Sequence, residues 1–215
     1  MSNKIEYKII LVGNTNVGKT SLFRKILGEE FLQKNISTIG VDQKTFYTNL
    51  KIDNKEGKKE NREFEIKLYD TAGEEKFRAL TKSFFNGANG IFLIYDVTER
   101  NSFEQVSEWL NNLKDDLGDP KEAKYVIILI GNKIDLVKDN IKEQAVESYE
   151  ASDKCEESGF YWGGELSAKT FNEEQLKEKI NEYILQIYKK VGANKHGQQK
   201  SKNISNNKKK GRKFC

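Results

Sequence analysis

Gly13-Asn14-Thr15-Asn16-Val17-Gly18-Lys19-Thr20 follows the β-branched run Ile9-Ile10-Leu11-Val12 and leads into Leu22, Phe23, Ile26 and Leu27, apolar positions at helical spacing. The pattern is G-x-x-x-x-G-K-[ST] set between a strand and a helix, the context in which it forms a phosphate-cradling loop. Such a loop turns successive backbone N–H groups inward, and the helix behind it adds the positive end of its dipole. Asn14, Thr15, Asn16, Val17, Gly18, Lys19, Thr20 and Ser21 are therefore candidate contacts to a polyphosphate. The glycines let the backbone approach closely, Lys19 supplies a point charge, and the Thr20 hydroxyl can ligate a magnesium ion.

The rest of the chain reads as strands alternating with helices. Strand-like runs occupy Tyr7 to Val12, Phe64 to Tyr69, Ile91 to Val97, Tyr125 to Ile130 and Phe160 to Leu166. Helical spacing covers Thr20 to Leu27, Glu75 to Phe85, Ser102 to Leu117, Ile141 to Cys155 and Glu174 to Tyr188. This alternation predicts an α/β fold with a mostly parallel sheet covered on both faces, whose ligands bind at the carboxyl ends of the strands. One interval lacks a helix. Phe46 to Ile52 and Phe64 to Tyr69 are joined by the polar run 53–61 and read as an antiparallel hairpin.

At 215 residues the length suits one domain of ordinary size with an appendage. No apolar run is long enough to span a membrane, and the start has no hydrophobic signal segment. Cys155 reads as a reduced thiol and Cys215 as a terminal residue outside any core. The net charge of +4 is unevenly placed: residues 192–215 hold eight Lys or Arg and no Asp or Glu, and taking those eight from 37 leaves 29 basic against 33 acidic residues. The globular part, 1–191, is mildly acidic, which argues against a nucleic-acid-binding surface. The tail, 192–215, is too polar to offset its ordering entropy and reads as disordered.

Two more clusters follow strands. Asp70 ends one of them, ahead of Thr71-Ala72-Gly73-Glu74-Glu75, placed either to cap a helix or to hold magnesium facing the loop, with Gly73 presenting an N–H to a terminal phosphate. Asn132-Lys133-Ile134-Asp135 follows the strand 125–130. A carboxylate at Asp135 could accept from the N1–H and the exocyclic amine of guanine, a pair adenine does not offer, with the stem of Lys133 over the base.

GNTNVGKT, DTAGEE, NKID and Glu165-Leu166-Ser167-Ala168-Lys169, in this order, resemble the small Ras-like GTPases over about residues 5–190. The stretches 37–42, 76–81, 84–88 and 93–98 resemble the Rab branch. The resemblance implies a P-loop GTPase fold, a six-stranded mostly parallel sheet with one antiparallel edge strand, binding GTP and GDP with Mg2+. It also implies that Thr38 joins Thr20 on magnesium, that Phe31 packs against the base, and that Ser167, Ala168 and Lys169 form the loop whose alanine N–H meets the guanine oxygen. Lys19, Gly73 and Glu74 are the implied catalytic positions. Effector proteins, an exchange factor and a GTPase-activating protein are the implied partners of a monomer on the cytosolic face of an internal membrane.

The chain departs from that pattern at several places. Glu74 stands where the family has a glutamine that positions the attacking water. An ionised glutamate only accepts hydrogen bonds and adds negative charge beside the phosphate, so intrinsic hydrolysis is expected to be slow, to the point of a GTP-binding scaffold that barely turns over. A Glu74 kept protonated by the phosphates could instead donate. Gln43 replaces an aromatic effector contact. Only Cys215 is available for lipid, against the usual two cysteines. One chain gives marginal membrane binding, which Lys208, Lys209, Lys210, Arg212 and Lys213 would reinforce at an anionic surface.

Overall fold

The computed structural model describes residues 4–31, 40–53, 57–71, 85–122 and 124–192. The expected helix from Glu75, together with Thr38, Gly73, Glu74 and Cys215, lies outside the described residues, apart from Phe85 at that helix's end.

Six strands form one sheet in the order β2-β3-β1-β4-β5-β6. β1 is Ile5–Val12, β2 Val41–Asp53, β3 Lys59–Thr71, β4 Gly90–Asp96, β5 Val126–Asn132 and β6 Tyr161–Glu165. All neighbours pair in parallel except β2 and β3, which run antiparallel and leave β2 at the edge. The expected sheet is the observed one. Every residue of β4 and β5 is buried, as central strands covered on both faces require.

The helices are α1 (Lys19–Ile26), α2 (Arg100–Glu104), α3 (Val106–Leu117), α4 (Ile134–Lys138), α5 (Ser148–Ser158) and α6 (Glu173–Val191). Alternate strand residues feed two apolar clusters. Ile9, Leu11, Phe92, Ile94, Ile128 and Ile130 join Leu22 of α1 with Ile180 and Ile184 of α6. Ile10, Val12, Leu93, Tyr95 and Leu129 join Val106, Trp109 and Leu113 of α3 with Ala151 and Cys155 of α5. The period of two along each strand therefore supplies both faces at once. Burial pushes the Cys155 thiol up to about 12, which leaves it an inert core residue.

Several element limits differ from the sequence reading. The hairpin ladder continues to Asp53↔Lys59, so only 54–58 connect the strands rather than 53–61. The ribbon extends because Leu50 and Ile52 are buried, in one cluster with Tyr188 and Val191 of α6, which gives its inner face a core of its own. The segment expected as a helix from Ile141 becomes helical only at Ser148. Ala145 and Val146 donate their N–H groups to the Val97 carbonyl at 2.9 and 3.2 Å, holding this stretch against the end of β4. A capping box between Glu147 and Glu150 then starts α5. The helix expected over 102–117 is two segments meeting at Gln105. α4, a single turn after Asn132-Lys133, was not anticipated. Among the described residues no helix is long and apolar enough to cross a membrane.

Candidate nucleotide site

The loop 13–18 joins β1 to α1 at the carboxyl end of the sheet, and three residues in it take positive φ: Gly13 (138°), Asn16 (65°) and Gly18 (94°). A Cβ on Gly13 would stand 2.2 Å from the Ile94 carbonyl oxygen of β4, and one on Gly18 would stand 2.3 Å from Asn132 Nδ2. Glycine is required at both by contact as well as by backbone conformation. Gly18 also begins α1 without a side-chain cap, so the first-turn amides face the loop with no competing side-chain acceptor at the cap. Val17 is buried, while Thr15 and Asn16 are exposed at the rim.

Lys19 is drawn inward beneath this loop. Its side chain is buried, and Nζ donates to the carbonyls of Gly13 (2.9 Å) and Asn14 (2.7 Å). Burial pushes its pKa down to about 8, against the opposing pull of Asp70. Thr20 Oγ1 donates to Asp70 Oδ2 at 2.6 Å. Asp70 lies in β3 one residue before its end, in register with Leu11 on one side and Asp42 on the other, and is 1 % exposed. Ser21, next in α1, is buried.

A second group closes the other side. Asn132 ends β5, Lys133 takes φ 69°, and Asp135 falls in the first turn of α4. Asn132 Nδ2 donates to the Val17 carbonyl (2.8 Å), and its Oδ1 accepts from the Ala168 N–H (3.1 Å). One amide thus ties the phosphate loop to the loop after β6. Ser167 Oγ donates to Asp135 Oδ1 at 2.6 Å and accepts from the N–H groups of Lys169 and Thr170. Ser167, Ala168 and Asp135 are buried, whereas Lys169 is exposed. Phe31 is half-buried at the end of a described stretch.

The structure brings together Lys19, Thr20, Asp70, Asn132, Lys133, Asp135, Ser167 and Ala168 at one end of the sheet. Sequence reasoning assigned no role to Asp96. Its Oδ2 pairs with Lys133 Nζ at 2.8 Å while its Oδ1 accepts from the N–H and hydroxyl of Thr98. The available signal was an acidic residue ending a wholly apolar strand. The side chain of Asn14 turns toward Gln105 and Trp109, which leaves only its backbone to face the loop's interior.

The donor set fits magnesium. Two hard oxygens, the Thr20 hydroxyl and the Asp70 carboxylate, lie side by side at the end of the loop 13–18. Among the described residues no group of three or more His, Cys, Asp or Glu forms an all-protein cage. Magnesium needs none, since it keeps several waters and takes one or two protein oxygens plus phosphates.

A phosphate loop after β1, an aspartate on β3 and Asn-Lys-x-Asp after β5, on a sheet of this order, define a P-loop nucleotide-binding protein of the α/β class. The Ras family model matches residues 8–191. Ras-related protein RABA4b of Arabidopsis thaliana is 32% identical over 192 residues, 88% of this chain and 77% of that protein. Ras-related protein YPT3 of Nicotiana plumbaginifolia is 35% identical over 185 residues, covering 86% of this chain and 76% of the relative. Ras-related protein Rab11A of Lotus japonicus is 32% identical over 187 residues, 86% and 74% of the two chains. The chain belongs to the Ras family, as a Rab-like small GTPase.

Proposed function

We propose that this protein binds GTP and GDP in the hollow between residues 13–20 and residues 132–135 and 167–169, hydrolyses GTP, and uses the difference between the two states as a switch in vesicle traffic. The observation that carries the reading is the pair of hydrogen bonds of Asn132, which tie the loop 13–18 to Ala168, while the adjacent Ser167 holds the Asp135 carboxylate. Asp135, oriented by Ser167, accepts from the guanine N1–H and amine. Asp96 holds the Lys133 ammonium so that its stem lies along the base. Lys19, already buried and held by the Gly13 and Asn14 carbonyls, donates to phosphate oxygens that supply its counter-charge, and the loop amides complete the cradle.

Thr20 and Asp70, with Thr38, would hold magnesium; bound there it neutralises charge on the phosphate oxygens. Thr38 and Gly73 engage the γ-phosphate and order the segments 35–45 and 70–85 for effector proteins, and hydrolysis releases them. An exchange factor and a GTPase-activating protein act on the same segments. Nucleotide content and turnover of freshly purified protein test this reading; bound guanine nucleotide is expected, and a pocket that binds neither GTP nor GDP contradicts it.

Glu74 favours a second reading, a long-lived GTP-bound scaffold. An ionised carboxylate beside the γ-phosphate adds negative charge to an already anionic group and donates nothing. Glu74→Gln is expected to raise single-turnover GTP hydrolysis about tenfold, the effect of restoring one donor in the transition state. Equal rates in the two proteins would sink the idea.

Membrane attachment belongs to the same proposal. Cys215 carries one lipid chain, and the basic run 208–213 adds about 1 kcal/mol per cation near an anionic leaflet. Mass spectrometry of the C-terminal peptide from membrane-recovered protein is expected to show a prenyl adduct; an unmodified Cys215 there refutes it.

A further inference from the structure

The side chain of Asn14 sits in the phosphate loop and serves something else. Its Oδ1 accepts from the Trp109 indole N–H at 2.8 Å, and its Nδ2 donates to Gln105 Oε1 at 2.6 Å. Gln105 occupies the joint between α2 and α3, and Trp109 lies one helical turn further on, so the two side chains share a face of the helix. Trp109 is 3 % exposed and belongs to the apolar cluster of that face of the sheet, which makes it a rigid anchor.

The backbone of Asn14 does separate work, because its carbonyl accepts from Lys19 Nζ at 2.7 Å. The loop is therefore held at two points. Asn132 grips it at the Val17 carbonyl, near α1, and the Trp109–Asn14–Gln105 strut grips it near β1. Between the two grips lie Thr15 and Asn16, both exposed.

We propose that Trp109 and Gln105 are positioning residues for bound nucleotide: acting through Asn14, they fix the peptide that seats the Lys19 ammonium, and loss of the strut speeds nucleotide release. The inference rests on the reading of this hollow as a guanine-nucleotide pocket. It assigns α3, a helix with no part in the hollow itself, a role in how long the nucleotide stays.

The test is the dissociation rate of fluorescently labelled GDP from full-length wild type, N14A, W109F and the N14A/W109F double variant. Loss of a buried hydrogen bond predicts release about threefold to tenfold faster in N14A and W109F. The double variant should release no faster than the faster single one, because both remove the same bond. In a W162F background, the Trp109 emission should shift on N14A, reporting the lost indole partner. N14A releasing GDP at the wild-type rate, or the double variant releasing it markedly faster than either single variant, overturns the strut while leaving the pocket intact. If W109F does not fold, the N14A release rate and the Trp109 emission shift decide. A wild-type protein that holds no GDP overturns the pocket reading and the strut with it.

Discussion

Asp135→Asn should lower affinity for GDP by about a thousandfold or more, since a site built to accept two hydrogen bonds from a base is then left opposing donor to donor. The fold gives a reason to expect a local effect. Ser167 Oγ, which donates to Asp135 Oδ1, can donate equally to the asparagine carbonyl, so the loop after β6 keeps its tie to α4. What changes is the edge facing the purine. A base with a carbonyl where guanine has its amine offers an acceptor to the new amide, so xanthosine diphosphate should recover much of the lost affinity. Equilibrium titration of both nucleotides against both proteins checks this. Equal loss for the two bases would mean that the variant is merely misfolded and that Asp135 does not read the purine.

The second large effect concerns Lys19. Its ammonium lies buried between two carbonyl oxygens, and burial holds its pKa down to about 8. The unfolded side chain titrates near 10.5, so between about 8 and 10.5 the unfolded chain binds more protons. This group therefore makes the nucleotide-free protein more stable as pH rises through that window. Phosphate binding has the opposite sign, because the anion favours the charged ammonium and raises its pKa. Affinity for GDP should be flat below about pH 8 and fall above it, at most tenfold per pH unit. Lys19→Met, which keeps the stem and deletes the charge, should reduce affinity at neutral pH by about a hundredfold, the value of a desolvated charged hydrogen bond. It should also remove the slope above pH 8. Titrations across pH 6.5 to about 9.5 separate these outcomes, and a wild-type profile without a break would remove Lys19 from the phosphate site.

Those two residues were legible in the sequence because their motifs combine spacing with context: a glycine-bounded loop between a strand and a helix, and a carboxylate just past an apolar strand. The sheet was legible for a similar reason. Val126 to Ile130 and Ile91 to Tyr95 are apolar without alternation, which only a strand covered on both faces tolerates. Features that depend on partners distant in the chain were less accessible. Asp96 is one strand away from Asn132 in register yet 36 positions earlier in sequence, and nothing local indicates that it meets Lys133. Loop position says nothing of where the Asn14 side chain goes, and its turn toward Trp109, 95 positions on, is decided by the packing of α3. The stretch from Ile141 has helical spacing, but its backbone is claimed by the Val97 carbonyl, a tertiary bond that outweighs a weak local propensity.

The central claim is a pocket that joins a phosphate loop to a guanine-selecting carboxylate. Isothermal titration of the nucleotide-stripped, full-length protein with Mg·GDP and, separately, Mg·ADP tests it most directly. The account predicts one site for GDP and affinity for ADP weaker by at least about a hundredfold, the discrimination expected when a buried carboxylate loses both its donors. No heat with Mg·GDP, or equal affinity for the two nucleotides, would contradict it.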